Sequence, residues 1–229
     1  MESSEYKILI VDDEDYILEF VSYNLRKEGY RVFIANNGRD AIKTAKEHLP
    51  HLIILDVMMP EMDGIETCRE MRHFPSLNKS IITFFTARNE DYSQIAGFEA
   101  GADDYITKPI KPRVLTSKVN ALLRRHIDTT AVPSLYKVGN LTIDPEKYLV
   151  YLNDREFSLP RKEFELLSLL TSKPNKVFSR DEIFSRIWTH EVVVGDRTID
   201  VHIRKLREKL DIENIKTIKG VGYKYEFKE

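Results

Sequence analysis

The first half of the chain alternates short apolar runs with longer segments in which apolar residues recur every three or four positions. Five runs have the length and composition of buried strands: 7–11, 31–35, 51–55, 80–85 and 104–107. Between the first two, Ile17, Val21 and Leu25 recur at helical spacing before Gly29, a residue type that often ends helices. This alternation predicts an α/β domain with a doubly wound, five-stranded parallel sheet covered by helices on both faces.

The second half of the chain has a different pattern, with short alternating strands followed by helices. Short strands are predicted, for example at 141–143 and 148–151. Three helices are predicted at 161–171, from 179 onward and at 197–210, and a final strand, turn and strand at 215–227. Asp144-Pro145 marks a turn between the first two strands, and Ser179 with Glu182 three residues later has the spacing of a capping box. This order predicts an α+β domain.

Residues 126–134 separate the two patterns. They lack an apolar period and contain Pro, Ser and Thr, as short linkers do. The predicted organisation is therefore a first domain at 1–125, a linker at 126–134 and a second domain at 135–229. With a split near residue 133, 17 basic and 21 acidic residues come first, a net −4, and 18 basic and 16 acidic residues follow, a net +2.

Composition limits the class of protein. With 35 Lys and Arg against 37 Asp and Glu, the formal net charge is −2, so any surface for nucleic acid must be local. Cys68 is the single cysteine, which excludes a disulfide within the chain and favours a reducing compartment. No window of the sequence reaches the roughly 18 apolar residues of a membrane span, and the N-terminal segment has no basic stretch before a long apolar run. We expect a cytoplasmic protein with no membrane partner.

Three acidic residues come directly after two of the predicted strands. Asp12 and Asp13 follow the first strand, and Asp56 follows the third. Because ligands of open parallel sheets bind beyond the carboxyl ends of the strands, these carboxylates should converge. Three close negative charges repel unless a cation lies among them, and Mg²⁺ prefers such hard oxygen ligands. For Asp13 or Asp15 alone, capping of the next helix is the alternative interpretation.

The loop after Asp56 is irregular and adds further chemistry. The sequence Met58-Met59-Pro60 can present the Asp56 carboxylate and supply a backbone carbonyl to a metal. A carboxylate can also act as a nucleophile toward phosphorus. Thr86 and Lys108 end two later strands, so their side chains could hydrogen-bond and neutralise phosphoryl oxygens, although each residue alone would be structural or solvated.

The first domain resembles a response-regulator receiver domain, which has a flavodoxin-like fold. The resemblance rests on DD at 12–13, LD at 55–56, MPEMDG at 59–64, TA at 86–87 and GADDYITKP at 101–109. It implies that a sensor histidine kinase phosphorylates Asp56. It also implies a Mg²⁺ site and a phosphoryl-contacting or switch group. The implied metal ligands are Asp12, Asp13, Asp56 and the Met58 carbonyl, and the implied switch residues are Thr86, Ala87, Tyr105 and Lys108.

The third helix of the second domain has two unlike faces. Its apolar stripe consists of Ile199, Ile203, Leu206 and Leu210. The opposite face is predicted to carry Arg197, Thr198, Val201, His202, Arg204, Lys205 and Arg207. A basic helix face is often only solvated, but here a hairpin with Lys216, Lys219 and Lys224 follows. Helices followed by a basic hairpin are typical of a winged helix-turn-helix.

The segments DRTIDVHIRKLR and IKGVGYKY make residues 135–228 similar to the output domain of the OmpR/PhoB response regulators. The resemblance implies base contacts from Val201 and Lys205 and a minor-groove contact from Lys219 in double-stranded DNA. Phosphate contacts are implied for Arg197, Thr198, His202, Arg204 and Arg207. Trp188 and the loop 189–195 resemble a turn that contacts RNA polymerase, although so short a loop could be a plain connection.

The same resemblance implies a homodimer that forms on phosphorylation and binds direct-repeat promoter sites. The implied ion pairs across the interface are Asp104 with Lys118 and Asp103 with Arg125. Gln94, Val114 and Asn120 occupy positions where charged residues are expected, so we expect a weakened dimer.

Three other interpretations compete with a DNA-binding regulator that is not an enzyme. Aspartyl-phosphate phosphohydrolases have an acid two residues after the nucleophile, but Met58 occupies that position. The second domain could bind protein rather than DNA, in which case its affinity would not depend steeply on salt. A receiver that is never phosphorylated would lack acidic residues that this chain keeps.

Overall fold

The computed structural model describes residues 5–87, 91–127, 135–188 and 197–227, with the side chains of 91–95, 124–127 and 197 excepted. The chain divides into two compact units, Met1–Thr130 and Ala131–Glu229. The division falls inside the predicted linker, but residues 128–134 lie outside the described residues. The bounds of the linker therefore stay a prediction.

The first unit is built on a parallel sheet with the strand order β2-β1-β3-β4-β5. Its strands are β1 (Lys7–Val11), β2 (Arg31–Ala35), β3 (Leu52–Leu55), β4 (Ile81–Thr86) and β5 (Asp104–Thr107). Its helices are α1 (Asp15–Lys27), α2 (Gly38–His48), α3 (Gly64–Arg72), α4 (Asp91–Ala100) and α5 (Pro112–Ile127), with a 3-10 turn at Pro75–Leu77. The predicted fold is confirmed, although α5 continues two residues past the predicted domain end.

The interior strands of this sheet bring the predicted site residues to one edge. All residues of β3 and β4 are buried because helices cover both faces of the sheet. In the β1–β3 register, Val11 pairs with Leu55, so the residues that follow them, Asp12 and Asp56, leave the sheet side by side. Strand β5 pairs with β4 and ends at Thr107, directly before Lys108.

The second unit combines two antiparallel sheets with three helices. A four-stranded sheet comprises β6 (Tyr136–Val138), β7 (Leu141–Asp144), β8 (Leu149–Leu152) and β9 (Arg155–Ser158). The helices are α6 (Arg161–Ser172), α7 (Arg180–Ile187) and α8 (Arg197–Leu210). A three-stranded sheet contains β10 (Phe178–Ser179), β11 (Ile215–Ile218) and β12 (Gly222–Tyr225), in the order β10-β12-β11. The three helices and the closing hairpin confirm the predicted α+β domain, whereas β6, β9 and β10 were not predicted.

Local sequence explains the start of α7 but only in part. Ser179 is the N-cap, and its side chain accepts a hydrogen bond from the backbone N–H of Glu182 at 3.1 Å, as the capping-box spacing predicts. The Glu182 carboxylate instead binds Lys176 at 2.7 Å and Arg186 at 2.9 Å.

Among the described residues, no helix is both long and apolar enough to cross a membrane. The cytoplasmic location stays a prediction.

Candidate functional site

The ends of β1, β3 and β5 bring two carboxylates and one ammonium group together. Asp12 is 1% exposed and Asp56 is 4% exposed. Lys108 Nζ lies 2.6 Å from Asp12 Oδ2 and 3.0 Å from Asp56 Oδ1, so one cation bridges both acids. Glu14 is farther away, at 3.9 Å from the same nitrogen. The pocket thus holds a charge arrangement that is costly to bury unless every group is paired.

Backbone contacts hold Asp56 in place. Its N–H donates to Val11 O at 2.8 Å, which extends the β1–β3 ladder by one bond. Its Oδ2 accepts from the N–H of Met58 at 2.7 Å. The chain then turns back so closely that a Cβ on Gly64 would overlap the backbone oxygen of Asp56. Only glycine fits there, which explains the Asp63-Gly64 end of the MPEMDG segment.

Burial and charge act in opposite directions on this pocket. Burial, and then the charge of Asp12, raise the pKa of Asp56, while Lys108 and the Met58 N–H oppose the increase. For Lys108, burial is the largest single influence and lowers the pKa. Its hydrogen bonds and charge interactions with Asp12 and Asp56 together outweigh burial and leave the pKa raised. Lys108 therefore stays a cation while Asp56 lies in a partly desolvated pocket.

The structure assembles only part of the predicted metal site. Asp13 and Met58 are exposed, and within the described ranges no group of three or more His, Cys, Asp or Glu side chains could hold a metal ion. Asp12 and Asp56 offer hard oxygen ligands of the kind Mg²⁺ prefers, and the Met58 carbonyl lies on the exposed loop beside them. These donors fit the ion, and Lys108 contacts the same carboxylates. The capping alternative is not supported, because the N-cap of α1 is Glu14 and its side chain makes no capping bond.

The predicted switch residues lie around the same edge of the sheet. Thr86 is buried at the end of β4, and its carbonyl accepts from Lys108 N at 2.9 Å, whereas Ala87 is exposed. The Tyr105 ring is buried, with its centroid 5.2 Å from that of Phe84. Burial raises the pKa of Tyr105, so its hydroxyl is neutral at ordinary pH.

Gly97, which the sequence analysis did not single out, leaves the space that the Tyr105 side chain occupies. A Cβ on Gly97 of α4 would overlap the Tyr105 hydroxyl and the Phe84 ring. A glycine in the middle of a predicted helix was the available signal, because glycine destabilises helix interiors and needs a packing reason to be there.

One predicted dimer pair is wrong. Asp103 is 1% exposed, and its Oδ2 lies 2.7 Å from Arg72 Nη2 and accepts from the Ile82 N–H at 2.8 Å. Arg72 also donates to the carbonyl oxygens of Gly101, Leu77 and Ser80. Asp103 therefore anchors the segment before β5 inside its own unit and is not available to Arg125 of another copy. The Arg125 side chain lies outside the described residues.

The structure also shows the surroundings of other residues of the predicted dimer interface. Asp104 is buried and its Oδ1 accepts from the N–H of Tyr105 at 2.7 Å, while Lys118 is half-buried on α5. Asn120 accepts a hydrogen bond from the Tyr30 hydroxyl, which directs this amide toward its own unit. The Gln94 side chain lies outside the described residues.

In the second unit, the exposed face of α8 is narrower than the sequence pattern predicted. Ile199, Ile203, Leu206 and Leu210 are buried, as predicted. Thr198, Val201 and His202 were predicted to face DNA, and this prediction is wrong because they are 4%, 9% and 1% exposed. The His202 ring lies 5.5 Å from that of Trp188, so the buried face of the helix extends beyond the four-residue stripe.

Two of the predicted cations on α8 remain on its surface, and a third has a different role. Arg204 is exposed and Lys205 is half-buried. Arg207 donates through Nη2 to Ile215 O at 2.7 Å and to Thr217 Oγ1 at 2.9 Å, so it ties α8 to β11. Lys219 is exposed in the turn between β11 and β12. The Arg197 side chain lies outside the described residues.

Trp188 does not present a surface to a partner. It is buried, and its ring stacks on that of Phe184 at 5.9 Å as well as contacting His202. The implied contact of Trp188 itself with RNA polymerase is not supported by this position, because its ring belongs to the core of the unit. The loop 189–195 lies outside the described residues, so the predicted contact of that loop stays a prediction.

Comparisons with known proteins match the chain to transcriptional response regulators. Residues 8–120 match the family model for the response regulator receiver domain, and residues 154–225 match the model for the C-terminal domain of transcriptional regulatory proteins. The chain is 40% identical to the alkaline phosphatase synthesis transcriptional regulatory protein PhoP of Bacillus subtilis, over 96% of each chain. It is 39% identical to the transcriptional regulatory protein SrrA of Staphylococcus aureus, over 97% of this chain and 96% of SrrA.

A solved structure agrees with these relatives. The response regulator DrrB of Thermotoga maritima, described as an OmpR/PhoB homologue, aligns with a TM-score of 0.50 and 35% identity. The alignment covers 96% of this chain and 99% of DrrB.

Proposed function

The chain belongs to the OmpR/PhoB-type response regulators of two-component systems, and we propose that its receiver domain accepts a phosphoryl group on Asp56 from a sensor histidine kinase. It is a DNA-binding transcriptional regulator and not an enzyme. The observation that supports Asp56 most strongly is its place at the end of β3, buried beside Asp12 and bridged by Lys108 at 3.0 Å.

In the proposed step, a carboxylate oxygen of Asp56 attacks the phosphorus atom of a phosphohistidine. A P–O bond forms while the P–N bond breaks, and the histidine nitrogen leaves with the bonding electrons. The Met58 N–H already holds one oxygen of Asp56 at 2.7 Å, which fixes the orientation of the carboxylate. Lys108 is within reach of the added phosphoryl oxygens, whose charge an ammonium group neutralises.

We propose that Asp12, Asp13, Asp56 and the Met58 carbonyl hold Mg²⁺ at this site. A bound Mg²⁺ supplies positive charge against the phosphoryl oxygens. Asp12 and Asp56 are already adjacent, and exposed Asp13 can turn toward them because no contact fixes its side chain among the described residues. Lys108 neutralises the same two carboxylates in the protein alone.

The proposed signal passes from Asp56 to Thr86 and Tyr105. Thr86, which precedes the exposed Ala87, ends β4, the strand that neighbours β3 and therefore Asp56. The Thr86 carbonyl already accepts a hydrogen bond from the backbone N–H of Lys108. A phosphoryl group that draws Thr86 and Lys108 toward it would change the packing around the buried Tyr105 ring. This is a local charge event that biases a packed face.

For the output domain we propose major-groove binding by α8 and a minor-groove contact by the hairpin β11–β12. Lys205 is the proposed base-reading residue, Arg204 and Arg197 the proposed phosphate contacts, and Lys219 the proposed minor-groove contact. Exposed Arg204 and Lys219 support this assignment. Arg207 holds β11 against α8 and is a further proposed phosphate contact.

Phosphorylation is further proposed to promote a homodimer through α4, β5 and α5, with Asp104 and Lys118 as the remaining charged pair. The pairs lost at Gln94, Val114 and Asn120 would be surface ion pairs, which contribute only about 0–1 kcal/mol each, so their loss weakens such a dimer without abolishing it. Two tethered output domains would favour direct-repeat half-sites about 10–11 base pairs apart. Contact with RNA polymerase is proposed for the loop 189–195 alone.

Intact-mass measurement after treatment with a small phosphodonor and Mg²⁺ tests the assignment to Asp56. The parent should gain one phosphoryl group and Asp56→Asn should gain none. Asp63→Asn is the matched control, because Asp63 lies on the same loop and Asn keeps its N-cap of α3. An Asp56→Asn protein that still gains a phosphoryl group would place the acceptor elsewhere.

A further inference from the structure

Three residues from three different elements meet in the output domain. Arg180 is the first residue of α7, Asp200 lies in the first turn of α8, and Tyr223 lies on β12. The Tyr223 hydroxyl donates to Asp200 Oδ1 at 2.5 Å, and Arg180 Nη2 lies 3.1 Å from the same oxygen. Arg180 Nη2 is also 3.3 Å from the Tyr223 hydroxyl. One carboxylate oxygen therefore joins α8 to both α7 and the hairpin.

Tyr223 is a rigid partner for this carboxylate. Its ring is buried, and the guanidinium carbon of Arg180 lies 5.1 Å from the ring centre. On β12 it pairs with Phe178 of β10 and Thr217 of β11, so it is the central residue of the three-stranded sheet. Burial, and then the bond to Asp200, raise the pKa of Tyr223 to about 12, so the hydroxyl keeps its proton and donates at neutral pH.

Asp200 suits the N-terminal turn of a helix but opposes the binding of DNA phosphates. It is exposed in the first turn of α8, one helical turn before exposed Arg204 on the helix proposed to enter the major groove. An acid at that position repels DNA phosphates unless its charge is held elsewhere. Arg180 and Tyr223 hold that charge, and the Tyr223–Asp200 bond ties α8 to β12 just as Arg207 ties it to β11.

We propose that Asp200, Arg180 and Tyr223 form a clamp that sets the position of α8 relative to the β11–β12 hairpin, and that Asp200 is a positioning residue for DNA sequence recognition. The proposal rests on the proposed binding of DNA by this domain and adds a residue to it. The clamp controls whether Lys205 in the major groove and Lys219 in the minor groove reach their contacts on the same duplex.

The clamp and simple charge repulsion predict opposite changes in the affinity for the preferred duplex when Asp200 is removed. Loss of an acid from a DNA-facing surface should strengthen binding to every duplex by reducing repulsion. Loss of the clamp should instead weaken binding to the preferred sequence and spare binding to other sequences. We expect the ratio of the two affinities to fall about tenfold, the usual value of one hydrogen bond to a charged group.

The test uses the full chain and two duplexes: one recovered by the parent protein from a random pool, and a scrambled duplex of the same composition. Affinities for both are measured for the parent, Asp200→Ala, Tyr223→Phe and the double variant. Both single variants should lower the specificity ratio about tenfold, and the double variant should lower it no further than Asp200→Ala, because Asp200→Ala already removes the bond that Tyr223→Phe removes. Thermal unfolding of each variant reports whether the domain still folds.

Asp181→Ala is the matched control. Asp181 is exposed beside Arg180 in the first turn of α7, so its loss changes the net charge of the same surface equally without touching the clamp. It should raise affinity for both duplexes slightly and leave their ratio unchanged. If Asp200→Ala behaves like Asp181→Ala, the clamp proposal is wrong while DNA binding stands.

Tyr223→Phe decides the matter if Asp200→Ala does not fold, since it removes one oxygen atom and keeps the buried ring. An unchanged specificity ratio in folded Tyr223→Phe overturns the proposal. A parent protein that recovers no duplex from the pool overturns the proposed function itself, and the clamp with it.

Discussion

The receiver pocket and the exposed face of α8 treat charge in opposite ways. In the receiver, charged groups are buried and paired: Asp12 and Asp56 with Lys108, and Asp103 with Arg72. On the output helix α8, Arg204 is exposed, and its Nε lies 3.8 Å from a carboxylate oxygen of Glu208, which is also exposed. A buried pair is a fixed arrangement whose loss leaves an uncompensated charge, whereas an exposed ion pair contributes little to stability and its cation can exchange the acid for a phosphate.

This difference matches the two proposed roles: the receiver pocket changes its charge on phosphorylation, and the exposed face of α8 binds DNA. In the receiver pocket, a new phosphoryl group disturbs a balance of three buried charges, so a local event has structural consequences. On α8, each cation that we propose as a phosphate contact would contribute a modest share of affinity that depends on salt. Substitutions of the buried charged pairs of the receiver should therefore be costly to its stability, whereas substitutions of exposed cations on α8 should be mild for the fold of the output domain.

The largest effect is expected for the buried pair before β5. Asp103→Ala should lower the free energy of unfolding of the receiver by about 4 kcal/mol, because it leaves Arg72 buried without its carboxylate. Denaturant unfolding monitored on the full chain measures the change. Asp13→Ala, at an exposed acid, should unfold like the parent in metal-free buffer. A similar small change for both variants would return Asp103 to the surface role predicted from sequence.

A smaller loss of stability is expected for the bridging cation. Lys108→Ala should destabilise the metal-free receiver by about 3 kcal/mol, because two buried carboxylates then repel each other. Mg²⁺ should restore more stability in this variant than in the parent, since Lys108 contacts the oxygen atoms that would bind the ion. Thermal unfolding with EDTA and with Mg²⁺ compares the two. Equal Mg²⁺ shifts in parent and variant would mean that Lys108 and the ion use different groups.

The output domain should respond through specificity rather than stability. Lys205→Ala should relax preference at one base pair by about 1–3 kcal/mol and leave unfolding almost unchanged. Selection of duplexes from a random pool by parent and variant shows the affected position. The same preference profile in both would move base recognition to another residue of α8.

The smallest effect is expected for the exposed phosphate contact. Arg204→Ala should weaken binding to all duplexes alike and reduce the slope of log affinity against log salt by about 0.9. Titrations at several salt concentrations measure this slope. Lys147→Ala, an exposed cation in the turn between β7 and β8, is the control and should keep the parent slope. A loss confined to one sequence would make Arg204 a base contact.

Much of the fold could be predicted from the sequence because its apolar runs are long and regular. The buried strands β1 and β3 contain almost only aliphatic residues, so periodicity located them within one residue. The acids Asp12 and Asp56 could be paired because parallel strands end at the same edge of a sheet. Strands β9 and β10 were missed because their short sequences, REFS and FS, have too few residues to show a period.

The errors at the sites have a common physical cause. Asp103 and Asp104 are adjacent acids, and only the tertiary position of Arg72 shows that the first is an internal anchor. His202 looks like a polar residue on a basic helix, but the Trp188 ring lies against it. The contacts of Asp200 could not be predicted from the sequence, because Arg180 and Tyr223 are 20 and 23 residues away in the chain. Periodicity describes one element at a time and cannot show contacts between elements.

The most direct test of the whole account joins the two domains in one measurement. The full chain and Asp56→Asn are each treated with acetyl phosphate and Mg²⁺, and each then selects duplexes from a random DNA pool. The account predicts that the treated parent enriches direct repeats about 10–11 base pairs apart with higher affinity than the treated variant. Recovery of the same sequences with equal affinity by both proteins would contradict control of DNA binding by Asp56.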